Sequence, residues 1–250
     1  MSQTEHRTGT PLFATTHWSV IFAAGCEDCT AASAALESLC QSYWYPVYAY
    51  IRHRGHQPAD SEDLTQAFFA RLIEREAFRV ADPSRGRFRN FLLTSLQNFL
   101  ANEWNKTRAR KRGGGMATVA FDEGRADQQY AAHAALPCSP AALYDRTWAR
   151  TILDHVSRLL EDEYAQAGKL DRLPWLDRIL FADEGDPTYA ELGRQHGLTA
   201  GGVRSEIHRL RSRFRHLLRR EVAHTVARPE EIDDELRSLL AAVTEYPPVP

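Results

Sequence analysis

Apolar residues in this chain recur at intervals of three and four, and almost nowhere at intervals of two. The clearest case is Phe88, Phe91, Leu92, Leu96, Phe99, Leu100 and Trp104, which line one side of a 3.6-residue helix. Alternating β-branched runs closed by turns are almost absent. The spacing therefore predicts an all-α protein. The 250 residues are 43% hydrophobic and 26% charged, an ordinary globular composition that suits one large domain or two small ones. No apolar run approaches the ~18 residues of a membrane span. The first twenty residues lack the basic-then-apolar order of a signal peptide, so the expected location is cytoplasmic, with no membrane partner.

The pattern divides the chain. Residues 1–17 read as a flexible arm, and Thr15 or Thr16 can cap a short helix near Trp18. A helix from about Thr30 to Tyr45 continues past Pro46 to about His53. Its rings, Tyr43, Trp44, Tyr45, Tyr48 and Tyr50, lie at helical spacing beside Val47 and Ile51, which favours core packing over base stacking. In "DSEDLTQAFFARLIERE", Asp60 or Ser61 caps a helix buried through Leu64, Phe68, Phe69, Leu72 and Ile73, with Asp63, Gln66 and Ala70 opposite. "ADPSRGRFR" is a loop, and the Phe88–Trp104 stripe follows. Residues 113–142 lose periodicity and read as a flexible linker. The second domain, 143–225, opens with Tyr144, Trp148, Ile152, Val156, Leu159 and Leu160. A shorter helix is expected at 173–182, and two more in 188–224. Residues 226–250 form an acidic C-terminal extension with a short helix.

Net charge is −2, but it is unevenly spread. Residues 85–112 carry eight Lys/Arg against Glu103 alone. Residues 188–224 carry eight Arg against Glu191, Glu206 and Glu221, and residues 226–250 carry two Arg against six acids. Two basic segments in an otherwise acidic chain are the footprint of a phosphate partner contacted twice.

Other chemistries find little support. Cys26 and Cys29 have Cys-x-x-Cys spacing, and His53 and His56 lie further on. No second Cys pair completes a zinc pattern, so no metal is expected. P-loop, His-Glu-x-x-His and nucleophile-elbow motifs are absent. No enzyme, cofactor or small-molecule substrate is predicted.

"TYAELGRQHGLTAGGVRSEIHRLRSRFRHLLRREV" reads as a helix-turn-helix. Gly197 breaks the first helix, Leu198 plugs the turn, and Gly193 is small where the helices approach. The second helix buries Val203, Ile207, Leu210, Phe214, Leu217 and Val222. Arg204, Ser205 and His208 are candidates for reading base edges. Arg209, Arg211, Arg213 and Arg215 are candidates for clamping phosphate. Eight arginines without a lysine is a choice suited to bidentate contacts.

"DLTQAFFARLIERE", then "RGRFRNFLLTSLQNFLANEWNKTRARKRGGG", then this helix-turn-helix, together resemble a bacterial RNA polymerase sigma factor of the extracytoplasmic-function (ECF) group. The resemblance implies a sigma2-like helical bundle over 18–112 and a sigma4-like helix-turn-helix domain over 143–225. It implies that Asp63, Leu64, Thr65 and Gln66 dock on the β′ clamp of core RNA polymerase. It further implies that Arg85, Arg87, Phe88, Arg89, Asn98, Trp104, Asn105, Arg108, Arg110, Lys111 and Arg112 engage the −10 element of promoter DNA. The second domain would read the −35 element and touch the β flap. The family often has an anti-sigma partner, though no segment here demonstrates one. The sequence departs from the family's pattern at Gly201 and Gly202, where a Thr usually precedes Val203.

Two other readings are open: a duplex-binding regulator that never meets polymerase, and a helical adaptor. The first leaves Asp63 and Gln66 and the segment 85–112 without a role; the second leaves the arginine bias without one. The acidic tail is expected to pack on the second domain, either as a stabilising end helix or as a screen against DNA.

Overall fold

The computed structural model describes residues 29–74, 86–109, 123–134, 136–169, 171 and 189–244. Every regular element among them is helical. They are α1 (Cys29–His53), α2 (Pro58–Glu74), α3 (Phe88–Ala109), α4 (Glu123–Ala131), α5 (Pro140–Gln166), α6 (Tyr189–His196), α7 (Ala200–Ala223), a single 3-10 turn (Pro229–Glu231) and α8 (Ile232–Thr244). The chain falls into two compact units. One comprises Met1–Thr151 with Ala223–Pro250, and the other Ile152–Val222. The short helices expected near Trp18 and at 173–182 lie outside the described residues.

The first unit is built on an aromatic core. Tyr43, Val47, Tyr48 and Ile51 of α1, Phe68 of α2, Phe88, Leu92 and Leu96 of α3, and Tyr144 and Trp148 of α5 are almost wholly buried. Tyr43 meets the edge of Phe88 at 5.5 Å, Phe68 meets Phe99 at 5.6 Å, and Tyr50 meets Tyr144 at 6.5 Å. Such pairs add roughly 0.5–1.5 kcal/mol each beyond area burial. α1 runs through Pro46 without a break.

α2 begins earlier than the sequence suggests. Pro58 takes the first helical position, where its missing N–H is no loss, and Asp60 lies in the first turn. Ser61 is not the cap; it is buried and its hydroxyl donates to the Gln57 carbonyl at 2.8 Å. The far end of the expected stripe, Ile73, is 43% exposed.

Within the span read as a linker, α4 packs on α1. Tyr130 is buried, and the Asp127 carboxylate accepts from Arg52 at 3.0 Å and from the Tyr48 hydroxyl at 3.1 Å. His53 bonds to Tyr130 Oη at 3.3 Å and to the Cys138 carbonyl at 2.8 Å.

In the second unit, Gly197 ends α6 in the left-handed region at φ 64°. The Leu198 N–H then donates back to the Gly193 carbonyl at 2.8 Å, the bond of a Schellman cap. Thr199 caps α7, its hydroxyl accepting from the Gly202 N–H at 3.1 Å. A three-residue turn thus satisfies both helix ends. Every residue of the expected α7 stripe is buried, joined by Leu218 and by two acids, Glu206 and Glu221.

The acidic tail does not pack where expected. Glu235 of α8 has no exposed surface, and it pairs with Arg87 and Arg89 of the first unit.

Candidate nucleic-acid interface

α2 and α3 each bury one face and leave the other to solvent. On α2, Asp63 is exposed, and Leu64 and Gln66 are half-buried. Thr65 departs from its expected role. It is fully buried, and its hydroxyl donates to the Ser61 carbonyl at 2.6 Å. Thr65 lies four residues from Ser61 and 68 three further on, so it turns inward with Phe68 and Phe69 rather than outward with Asp63.

On α3, Asn98, Trp104 and Asn105 are exposed. Trp104 stands at the end of the stripe but is 64% exposed. An indole left in solvent on a polar helix face is a stacking surface. A groove of about 720 Å³ joins the two sets, lined by Asp63, Leu64, Glu103, Trp104, Asn105 and Arg54 among others. A smaller hollow of about 210 Å³ lies between the same helices, bordered by Arg71, Ser95, Asn98, Phe99 and Asn102. There Arg71 lies 5.8 Å over the Phe99 ring and 3.6 Å from Glu103. Sequence reasoning overlooked Arg71. Asn102 stands four residues from Asn98 on the same helix, whereas Arg71 lies on α2 and no spacing in the sequence places it beside Asn98.

Two of the expected −10 contacts prove to be internal. Phe88 is 1% exposed and packed on Tyr43 and Phe91, so it is core and offers no surface to a flipped base. Arg89 is 6% exposed. Its guanidinium bonds to Glu235 at 2.9 and 3.1 Å, pairs with Asp145 and lies 4.6 Å over the Trp148 ring. Burial alone pulls the Arg89 pKa down, but the two carboxylates outweigh it and the pKa is raised. Arg87 is half-buried and pairs with Glu235 at 2.7 Å. Arg85, Arg110, Lys111, Arg112 and the side chain of Arg108 lie outside the described residues.

On α7, Arg204, Ser205, His208, Arg209, Arg211 and Arg215 are exposed. Arg204 sits 5.7 Å from the Tyr189 ring, and the Ser205 hydroxyl donates to the Gly201 carbonyl. Arg209 pairs with buried Glu206. Arg213 is committed elsewhere. It makes a bidentate pair with Glu163 at 2.5 and 2.7 Å, which holds the Glu163 carboxyl below the usual range.

A family comparison falls on the first unit. Residues 39–110 match Sigma-70 region 2. The match covers under a third of the chain, and over that stretch the chain is similar to the sigma-70 family. It covers α3 and most of α1, and all of α2, so the groove and the hollow both lie inside region 2. The comparisons with curated proteins and with solved structures give no match. Among the described residues, no helix is long and apolar enough to cross a membrane, and no cluster of His, Cys, Asp and Glu is arranged to hold a metal ion.

Proposed function

We propose that this chain is a cytoplasmic ECF-type sigma factor that carries core polymerase to a two-part promoter. The observation that carries the reading is the exposed groove inside the region 2 match, where Asp63 and Leu64 of α2 meet Trp104 and Asn105 of α3. Core packing leaves the Trp104 indole, 64% exposed, without a use.

In this reading, Asp63, Leu64 and Gln66 dock on the polymerase β′ clamp. Asn98, Trp104 and Asn105 meet the −10 strand, with Asn102 and Arg71 beside them. Amide side chains both donate and accept, which suits the edge of an unstacked base. Stacking on an aromatic ring contributes about 1–3 kcal/mol per base, enough to offset part of the few kcal/mol that unpairing costs. Arg87 and the basic residues after Trp104 hold the backbone. The region from α6 to α7 acts as a helix-turn-helix on the −35 duplex. Arg204, Ser205 and His208, near the start of α7, face the bases, and Arg209, Arg211 and Arg215 face phosphate.

The test separates polymerase from DNA. Core polymerase immobilised on beads should retain wild-type protein and lose Asp63→Arg, while Trp104→Ala is retained. On a promoter fork with an unpaired −10 strand, the Trp104→Ala holoenzyme should bind about tenfold or more weakly than wild type. Retention of Asp63→Arg at wild-type level would reject the docking face. Duplex binding without any core binding would instead favour a regulator that acts without polymerase.

A further inference from the structure

We propose that the C-terminal helix α8 is a working part of the promoter-opening unit, and that Glu235 is the positioning residue through which it sets the basic segment at the head of α3. The inference rests on the region 2 reading above.

The geometry is specific. Glu235 Oε1 accepts from Arg89 Nε at 2.9 Å, and its Oε2 accepts from Arg89 Nη2 at 3.1 Å and from Arg87 Nη1 at 2.7 Å. Ser238, on the same face of α8, accepts from Arg87 Nη1 at 3.1 Å. The remaining donor edge of Arg89 goes to Asp145 of α5, and the Tyr144 hydroxyl donates to the Arg89 carbonyl at 3.3 Å. Two arginines and two carboxylates make a cluster without net charge. Such balance is what allows Glu235 to have no exposed surface.

The two arginines are held differently. Arg89 has spent each edge of its planar fork on the protein, so it cannot reach a phosphate without dismantling the cluster. Arg87 keeps 24% of its side chain exposed. Among the described residues, its side chain is held beside the first turn of α3 by contacts from α8, to Glu235 and Ser238. A cation fixed in place before DNA arrives gives up less freedom on binding than a loose one. Sequence separation hid this, because Glu235 lies 146 residues from Arg89.

The experiment uses full-length chain assembled with core polymerase, on a promoter that wild type opens. It reads core affinity and permanganate reactivity of −10 thymines in parallel. Glu235→Gln removes the charge and keeps the shape. The expected result is opening reduced about tenfold or more with core affinity within about twofold of wild type, since leaving a buried cation unmatched is strongly unfavourable. The double variant Arg89→Met with Glu235→Leu replaces the pair by apolar contacts. It should regain stability and core affinity, because a buried pair is often replaceable when both partners go, while opening stays reduced about tenfold, because Arg87 has still lost its carboxylate. If Glu235→Gln loses core binding and opening together, the double variant decides. Recovery of core binding without recovery of opening supports positioning. A double variant that opens as well as wild type overturns the claim that Glu235 acts by holding Arg87. Glu235→Gln opening as well as wild type would overturn the proposal alone, while wild type that opens no promoter would overturn it together with the region 2 reading.

Discussion

Arg213 and Arg215 look alike in the sequence, yet they should behave differently. Arg213 forks onto Glu163, whereas Arg215 is exposed. Arg215→Ala should reduce the log–log salt slope of −35 duplex binding by about one and leave the melting temperature nearly unchanged. Arg213→Ala should leave the slope intact and lower stability by under about 1 kcal/mol, because the pair is partly solvated. The sign with pH follows from the depressed Glu163 carboxyl. Its stabilising effect is present above the ordinary carboxylate pKa of about 4.3 and disappears as pH falls through the folded value. The stability gap between wild type and Arg213→Ala should therefore narrow between pH 7 and pH 3.5 in thermal melts. A gap that widens on acidification would contradict the pairing. Sequence pattern told the buried side of α7 from its exposed side, but not which arginine had already found a carboxylate. That depended on Glu163, 50 residues away.

At the scale of elements, the turn between α6 and α7 offers two opposite glycine tests. A Cβ on Gly193 would stand 2.5 Å from the Leu198 carbonyl oxygen. Gly193→Ala should destabilise the turn by about 1–3 kcal/mol and weaken duplex binding with it. Gly201 has only the Thr199 hydroxyl nearby, at 3.9 Å. Gly201→Ala should therefore stabilise α7, by up to about 1 kcal/mol. If duplex affinity falls while stability rises, the absent side chain at Gly201 serves close approach to phosphate. Chemical denaturation and a duplex titration of each variant decide both. The turn was readable in advance because its signals are local: a glycine at the helix end, an apolar plug, a threonine cap. The face of Trp104 was not. It continues the Phe88–Leu100 spacing, and only the extent of the neighbouring helices determines where a stripe stops being covered. Thr65 failed for the opposite reason, being polar but turned inward, with its hydroxyl satisfied by the helix itself.

Over the whole molecule, helical class followed from periodicity, but the division of the chain did not. A glycine- and alanine-rich span suggested a linker, yet α4 within it docks on α1 through Tyr130 and Asp127, two residues too few to make a pattern. The acidic tail suggested the nearest basic helix as its partner. Instead it returns to the first unit, because a buried charge is satisfied by the best-matched fork and not by the closest one in sequence. Truncation after Ala227 should consequently lower stability by several kcal/mol, the usual penalty of stranding one partner of a buried pair, and a thermal melt checks this. A truncated chain as stable as the full one would show that α8 is an appendage.

The central claim is that the exposed α2 face within region 2 carries this chain onto polymerase. The most direct measurement is transcription by bacterial core polymerase over a library of random promoter DNA, with wild type and Asp63→Arg run side by side. The account predicts new transcripts that share a two-part upstream motif with wild type and disappear with Asp63→Arg. Transcripts equally abundant with both proteins, or none with wild type and a compatible core enzyme, would contradict it.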